Sequence, residues 1–172
     1  MQQIFFYFWE LCLLRESPSR IPSSLYVLGS VAIFYLLVAL TTISLIQPEQ
    51  TLGGAFGSVT VSLLIQATLT WGLLLYKGMS NRYVATLSAL LGTNTIMLLI
   101  QLPVTLTLLN AENQNLTLLA NSVSWVCLGW WLAIVGYIYH KAINISALQG
   151  SAIAFMTELL GVVATITLFP TS

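Results

Sequence analysis

The hydrophobic positions of this chain fall into five long blocks separated by short polar breaks. An α-helix needs about 20 mostly apolar residues to cross about 30 Å of hydrocarbon. Each block reaches that length: Leu25–Ile46, Leu52–Tyr76, Tyr83–Leu109, Leu118–Tyr139 and Leu148–Phe169. The pattern predicts an all-α fold, a five-helix transmembrane bundle over residues 25–172, in which short loops place successive helices antiparallel. Pro103, inside the long third block, predicts a kink or an early end to that helix.

The basic residues all fall on one side of this predicted threading. They precede the first block or lie between the second and third or the fourth and fifth blocks: Arg15, Arg20, Lys77, Arg82 and Lys141. The loops on the opposite side carry only Glu49 and Glu112 as charged residues. Because loops rich in Lys and Arg stay in the cytoplasm, we expect a cytoplasmic N-terminus. The C-terminus then lies in the periplasm of a bacterial inner membrane.

Residues 1–24 form a segment of a different kind. The apolar run Ile4–Leu14 is too short to span a membrane, is interrupted by Glu10, and carries a row of aromatic residues that ends at Trp9. Since aromatic rings favour the headgroup level, we expect an amphipathic helix in the cytoplasmic interface, ended by Pro18 and Pro22. Such a helix either packs on the bundle or docks a partner protein or lipid.

Composition supports a membrane protein and excludes several other classes. Of the 172 residues, 58% are hydrophobic and 6% are charged, whereas soluble domains carry roughly 25% charged residues. The net charge is zero, so there is no basic patch for nucleic acid. Two distant cysteines, Cys12 and Cys127, and a single histidine argue against a metal site. The chain carries no recognisable catalytic motif, and we expect neither enzyme activity nor a cofactor.

Glu158 is a lone acid about halfway along the fifth block, in the stretch "AFMTELLGV". A charge at the centre of a membrane helix costs about 2.5–3.5 kcal/mol, and a carboxylic acid lowers that cost by staying protonated and hydrogen bonding inside the bundle. Gln66 lies on a stripe with Ser58, Ser62 and Thr70 at intervals of four residues.

Two more amides, Asn94 and Gln101, are seven residues apart in the third block and share a face. One interpretation is a polar cavity lined by Gln66, Asn94, Gln101 and Glu158, which suits transport. The other is a set of hydrogen bonds that join helices. The pattern leaves both open.

Two further sets of residues predict packing and anchoring. The spacing of Gly53 and Gly57 allows a close approach between helices. Aromatic and basic residues at the predicted membrane boundary are typical of interfacial anchors: Trp9, Trp130, Trp131, Tyr139, His140 and Lys141. The same interpretation accounts for His140, so we do not expect it to ligate a cofactor.

The stretch "LLRESPSRIPSS" before the five blocks, and the last loop with its flanks, "YIYHKAINISALQGSAIAFMTELL", resemble small bacterial membrane proteins of the Yip1-like family. The resemblance implies a cytoplasmic N-terminus, five membrane helices and a C-terminus outside the cytoplasm. It also implies a role in organising membranes. It carries no catalytic residue over to this chain.

Small size, minimal loops and the lack of a catalytic set favour one function above others. We expect a non-enzymatic accessory or scaffold subunit of a larger membrane complex, with other integral membrane subunits and the lipid bilayer as its partners. The alternatives are a small transporter or channel component that uses Glu158, and a Yip1-like membrane-organising protein.

The predicted orientation can be checked with single cysteines in the loops. In a chain whose Cys12 and Cys127 are replaced by alanine, we expect a membrane-impermeant maleimide to label Glu49→Cys on spheroplasts. The matched variant Lys77→Cys should be labelled only after the membrane is permeabilised. Labelling of Lys77→Cys on intact spheroplasts would contradict the orientation.

Overall fold

Within the residues that the structure describes, the fold consists of six α-helices. The computed structural model of the protein describes residues 2–15, 24–110 and 113–169, and in the first helix the side chains from residue 6 onward. The helices are α1 (Gln2–Cys12), α2 (Leu25–Ile46), α3 (Leu52–Tyr76), α4 (Tyr83–Asn110), α5 (Gln114–Ile143) and α6 (Ala147–Leu168). A short 3₁₀ turn, Ser80–Arg82, precedes α4. Four residues used in the sequence argument lie outside the described part: Pro18, Arg20, Pro22 and Glu112.

Helices α2 to α6 are each long and apolar enough to cross a membrane, so the prediction of an all-α bundle of five membrane-spanning helices is confirmed. Helix α5 runs four residues beyond the predicted block at each end. Helix α4 continues through Pro103 to Asn110, so the predicted early end of that helix is wrong. Proline removes one backbone donor, and a membrane bundle tolerates that loss where its surroundings satisfy the freed groups.

Local signals in the sequence explain where several helices begin and end. Thr51 caps α3 by accepting a hydrogen bond from the amide of Gly54 at 3.2 Å. Ser146 and Gln149 form a reciprocal capping box at the start of α6. Asn144 ends α5 in the left-handed region, with φ of 54°, a conformation that asparagine tolerates better than most residues.

One end of the bundle carries three basic side chains, and we call it the basic end: Lys77, Arg82 and Lys141. Arg82 Nη1 donates to the carbonyls of Lys141 and Ala142, at 3.4 and 3.2 Å. These carbonyls belong to the last turn of α5, where the helix dipole favours a cation. The contact ties the start of α4 to the end of α5.

Helix α4 is the central element of the bundle. It packs against α1, α2 and α5 and also touches α3, while α6 packs against α5 and α3. From Ala85 to Met97 every residue of α4 is buried except the half-buried Asn94. From Leu98 to Asn110 every residue is half-buried or exposed. The half of the bundle at the basic end is therefore the more tightly packed half.

Helix α1 packs on the bundle through one face, formed by the buried residues Phe8, Leu11 and Cys12. The ring of Phe8 occupies the place where a side chain at Gly92 would begin. Trp130 Nε1 donates to the carbonyl of Cys12 at 2.9 Å, and burial raises the pKa of the Cys12 thiol to about 12. The amphipathic character of α1 and its place in the membrane interface stay predictions.

Helices α5 and α6 meet at two glycines near the basic end. A Cβ at Gly150 would collide with the backbone carbonyl of Gly136, and a Cβ at Gly136 would collide with Ser151. Only the absence of both side chains lets the two backbones approach this closely.

We expect Gly150→Ala to lower the free energy of unfolding by about 1–3 kcal/mol, because the added methyl group forces two backbones apart. The measurement is thermal or denaturant unfolding in detergent micelles. Gly129→Ala, on the open side of α5 where no atom lies within 4 Å of the new Cβ, is the matched control and should not lower stability. Equal stability of the two variants would contradict the close contact.

Candidate intramembrane polar site

Two cavities meet at Glu158 inside the membrane-spanning part of the bundle. The first has a volume of about 300 Å³ and is lined by α2, α3, α4 and α6. The second has a volume of about 250 Å³ and is lined by α2, α4, α5 and α6. Tyr35, Asn94, Leu98 and Glu158 line both. We call the pair the Glu158 cavities.

The four polar residues singled out in the sequence come together here. Gln66 lines the first cavity and Gln101 the second, while Asn94 and Glu158 line both. The observed packing brings α3, α4 and α6 to one place.

A chain of hydrogen bonds orients two of these side chains. Trp131 Nε1 donates to Asn94 Oδ1 at 2.9 Å, and Asn94 Nδ2 donates to Gln66 Oε1 at 3.4 Å. An indole N–H can only donate, so Asn94 must present its oxygen to Trp131 and its amide nitrogen to Gln66. We call this set, Trp131, Asn94 and Gln66, the amide relay.

The hydroxyl side chains of the α3 stripe lie in two places, beside the first cavity and in the packed half of the bundle. Ser58 and Ser62 line the first cavity, and the hydroxyl of Ser62 lies 3.3 Å from that of Thr165 in α6. Thr70 is fully buried, and its hydroxyl lies 3.0 Å from that of Tyr139. The stripe thus supplies polar groups at two different depths.

A single acidic residue and no basic residue line the Glu158 cavities. None of the residues that line them is Lys, Arg or His, and Glu158 is their one carboxylic acid. In the single chain, the side chain of Glu158 is exposed. In the part of the chain that the structure describes, no group of three or more His, Cys, Asp and Glu residues could hold a metal ion.

Three of the aromatic residues expected at the membrane boundary face other helices. Trp130 hydrogen bonds to the carbonyl of Cys12, and Trp131 belongs to the amide relay. Tyr139 is only 1% exposed. Their polar groups bind protein atoms, so these side chains contribute to packing between helices.

The other predicted anchors lie nearer the surface. His140 Nδ1 contacts the carbonyl of Ile145; a carbonyl only accepts, so Nδ1 carries the proton. Lys141 Nζ lies 5.4 Å from the centre of the Tyr137 ring, a cation–π geometry. Trp9 is 38% exposed on α1.

Gly53 and Gly57 of α3 have different surroundings. The ring of Phe169 occupies the place where a side chain at Gly57 would begin, whereas Gly53 has open space around it. Within the described residues, Gly57 therefore packs in the chain, against the end of α6.

Sequence reasoning missed two members of this site. Tyr35 lies in the most apolar span and no spacing marked it. Trp131 carried a signal, an aromatic ring with one donor, but its neighbour Trp130 and the basic residues nearby favoured the anchor interpretation.

A scan of the chain against protein-family models and searches of curated proteins and of solved structures return no match. The resemblance to the Yip1-like family therefore stays a prediction. The membrane location rests on the five apolar helices, and the candidate site rests on the geometry of the Glu158 cavities.

Proposed function

We propose that this protein is a non-enzymatic component of a membrane transport system that binds a small cationic ligand at Glu158. The observation that carries the proposal is the position of a lone carboxylic acid between two cavities whose lining contains no basic residue. Ionisable groups inside membrane spans pair with an opposite charge or mark the path of an ion or substrate.

The size of the cavities favours a small ligand. The volume of the first cavity, about 300 Å³, lies at the lower end of the range for small-molecule sites, about 300–1,000 Å³, and that of the second, about 250 Å³, lies just below it. A transmembrane helix, about 10 Å across, does not fit into cavities of this volume, so the group that occupies them is smaller than a helix.

The orientation of the site follows from the distribution of basic residues. We infer that the protein resides in a bacterial inner membrane, with its N-terminus in the cytoplasm and its C-terminus in the periplasm. The excess of Lys and Arg on one side supports this orientation. The cavities, which lie toward the half of α4 away from the basic end, then belong to the periplasmic half.

Uptake of a small cation into proteoliposomes tests the proposal. Guanidinium suits the test because it stays protonated and does not leak through lipid as a neutral molecule. With an inside-negative potential, we expect Glu158→Gln to lower uptake of radiolabelled guanidinium by at least tenfold, because the substitution removes the only carboxylate of the cavities.

The matched control is Glu49→Gln, which removes an exposed acid from a loop and should leave uptake unchanged. Wild-type uptake no greater than that of empty liposomes would overturn the proposal. Equal uptake by wild type and Glu158→Gln would do the same.

A second candidate function is an accessory or scaffold subunit of a larger membrane complex, with other integral membrane proteins as partners. The tight packing of the half of the bundle at the basic end favours this accessory function. Residues Ala85–Thr93 of α4, which are all buried, together with the buried contact between Tyr139 and Thr70, fill the space between the cavities and the basic end. A partner subunit would then provide the rest of a path across the membrane.

Native mass spectrometry of the protein extracted from its own membrane tests this second function. We expect a stable complex that contains at least one further integral membrane protein. A species with the mass of the single chain alone, 18.8 kDa, under conditions that preserve lipid contacts, would contradict the accessory role.

A further inference from the structure

The amide relay sets which polar atoms the Glu158 cavities offer to a ligand. We propose that the ligand carries two groups, a protonated amine that pairs with Glu158 and, close to it, a hydrogen-bond acceptor that binds the amide nitrogen of Gln66. This inference rests on the proposed function and specifies the chemistry of its ligand.

The first step concerns Trp131. Its indole N–H is a donor with no acceptor atom, and it lies 2.9 Å from Asn94 Oδ1. The oxygen of Asn94 is therefore engaged, and its amide nitrogen points to the other side of the residue. Trp131 acts as a positioning residue for the first cavity, which it does not line, because it fixes the orientation of Asn94.

The second step concerns Gln66. Asn94 Nδ2 donates to Gln66 Oε1, so Gln66 also has its oxygen engaged. Its Nε2 group, with two donors, is turned away from Asn94. Gln66 and Glu158 line the same cavity, which therefore combines a carboxylate with an oriented amide donor.

The same orientation disfavours a bare metal cation as the ligand. Sodium and calcium ions are held by several oxygen ligands, six to eight in the case of calcium. The relay directs the amide oxygens of Asn94 and Gln66 toward N–H donors. One carboxylate, the amide oxygen of Gln101 and scattered hydroxyl groups remain, fewer oxygen ligands than a calcium ion takes but enough for an organic ammonium group.

Two isosteric probes separate the amine from the acceptor. n-Butylammonium and 2-methoxyethylammonium have the same chain length and the same charge, and differ by one ether oxygen in place of a methylene group. The measurement is a ligand-observed NMR titration of the full chain in phosphatidylcholine nanodiscs, with empty nanodiscs subtracted. The quantity compared is the ratio of the two affinities.

We expect Trp131→Phe to reduce the preference for 2-methoxyethylammonium, relative to wild type, by about fivefold, the contribution of one hydrogen bond. The phenyl ring keeps an aromatic side chain but lets Asn94 and Gln66 rotate. The control is Trp125→Phe on the same helix, an exposed tryptophan outside the cavities, which should keep the wild-type ratio. Gln66→Met, which removes the donor itself, should reproduce the change and serves if Trp131→Phe does not fold.

The outcomes separate this inference from the proposed function. In one outcome, both probes bind, Glu158→Gln abolishes their binding, and the affinity ratio is the same in wild type and Gln66→Met. This result would overturn the proposal that the ligand's acceptor binds Gln66, while the cation site at Glu158 would stand. If neither probe binds, or if Glu158→Gln leaves binding unchanged, the cation site and the inference both fall.

Discussion

The constraint on which this structure depends is the absence of water in the hydrocarbon of a membrane. Every backbone N–H and C=O must find a partner inside the protein, and the α-helix supplies these partners locally. Five apolar helices satisfy that requirement one by one. What remains is the arrangement of the polar side chains, and each of these must also find a partner or face a cavity.

Among the described residues, hydroxyl side chains find a hydrogen-bond partner mostly within their own helix. Thr42, Ser88 and Thr95, for example, each donate to the carbonyl four residues earlier. Bonds of this kind are local and hold no helix to another. In the described part of the chain, other polar contacts do join helices, and several of them involve larger groups, such as Tyr139 with Thr70 and Trp131 with Asn94.

The asymmetry between the two halves of the bundle follows from side-chain size. Near the basic end, glycine faces glycine where α5 meets α6, and small residues let α4 sit at the centre. In the other half, Asn94, Gln101 and Glu158 take positions that apolar side chains would fill, and cavities lie beside them. A packed half and a cavity-bearing half thus come from the same five helices.

The sequence by itself determined the number of spans, their approximate bounds and the polar residues of interest, because length and hydropathy are local properties. The same locality explains what was missed: of the two alternatives predicted for Pro103, a kink or an early end of α4, the early end does not occur, and nothing in the fourth block marked Trp131 as a partner of Asn94. Only the tertiary structure decided that α3, α4, α5 and α6 converge on one site. Close packing between helices, at Gly136 and Gly150 above all, decides which helix faces meet. Hydrophobic patterns do not encode this choice of faces, because nearly every face of these helices is apolar.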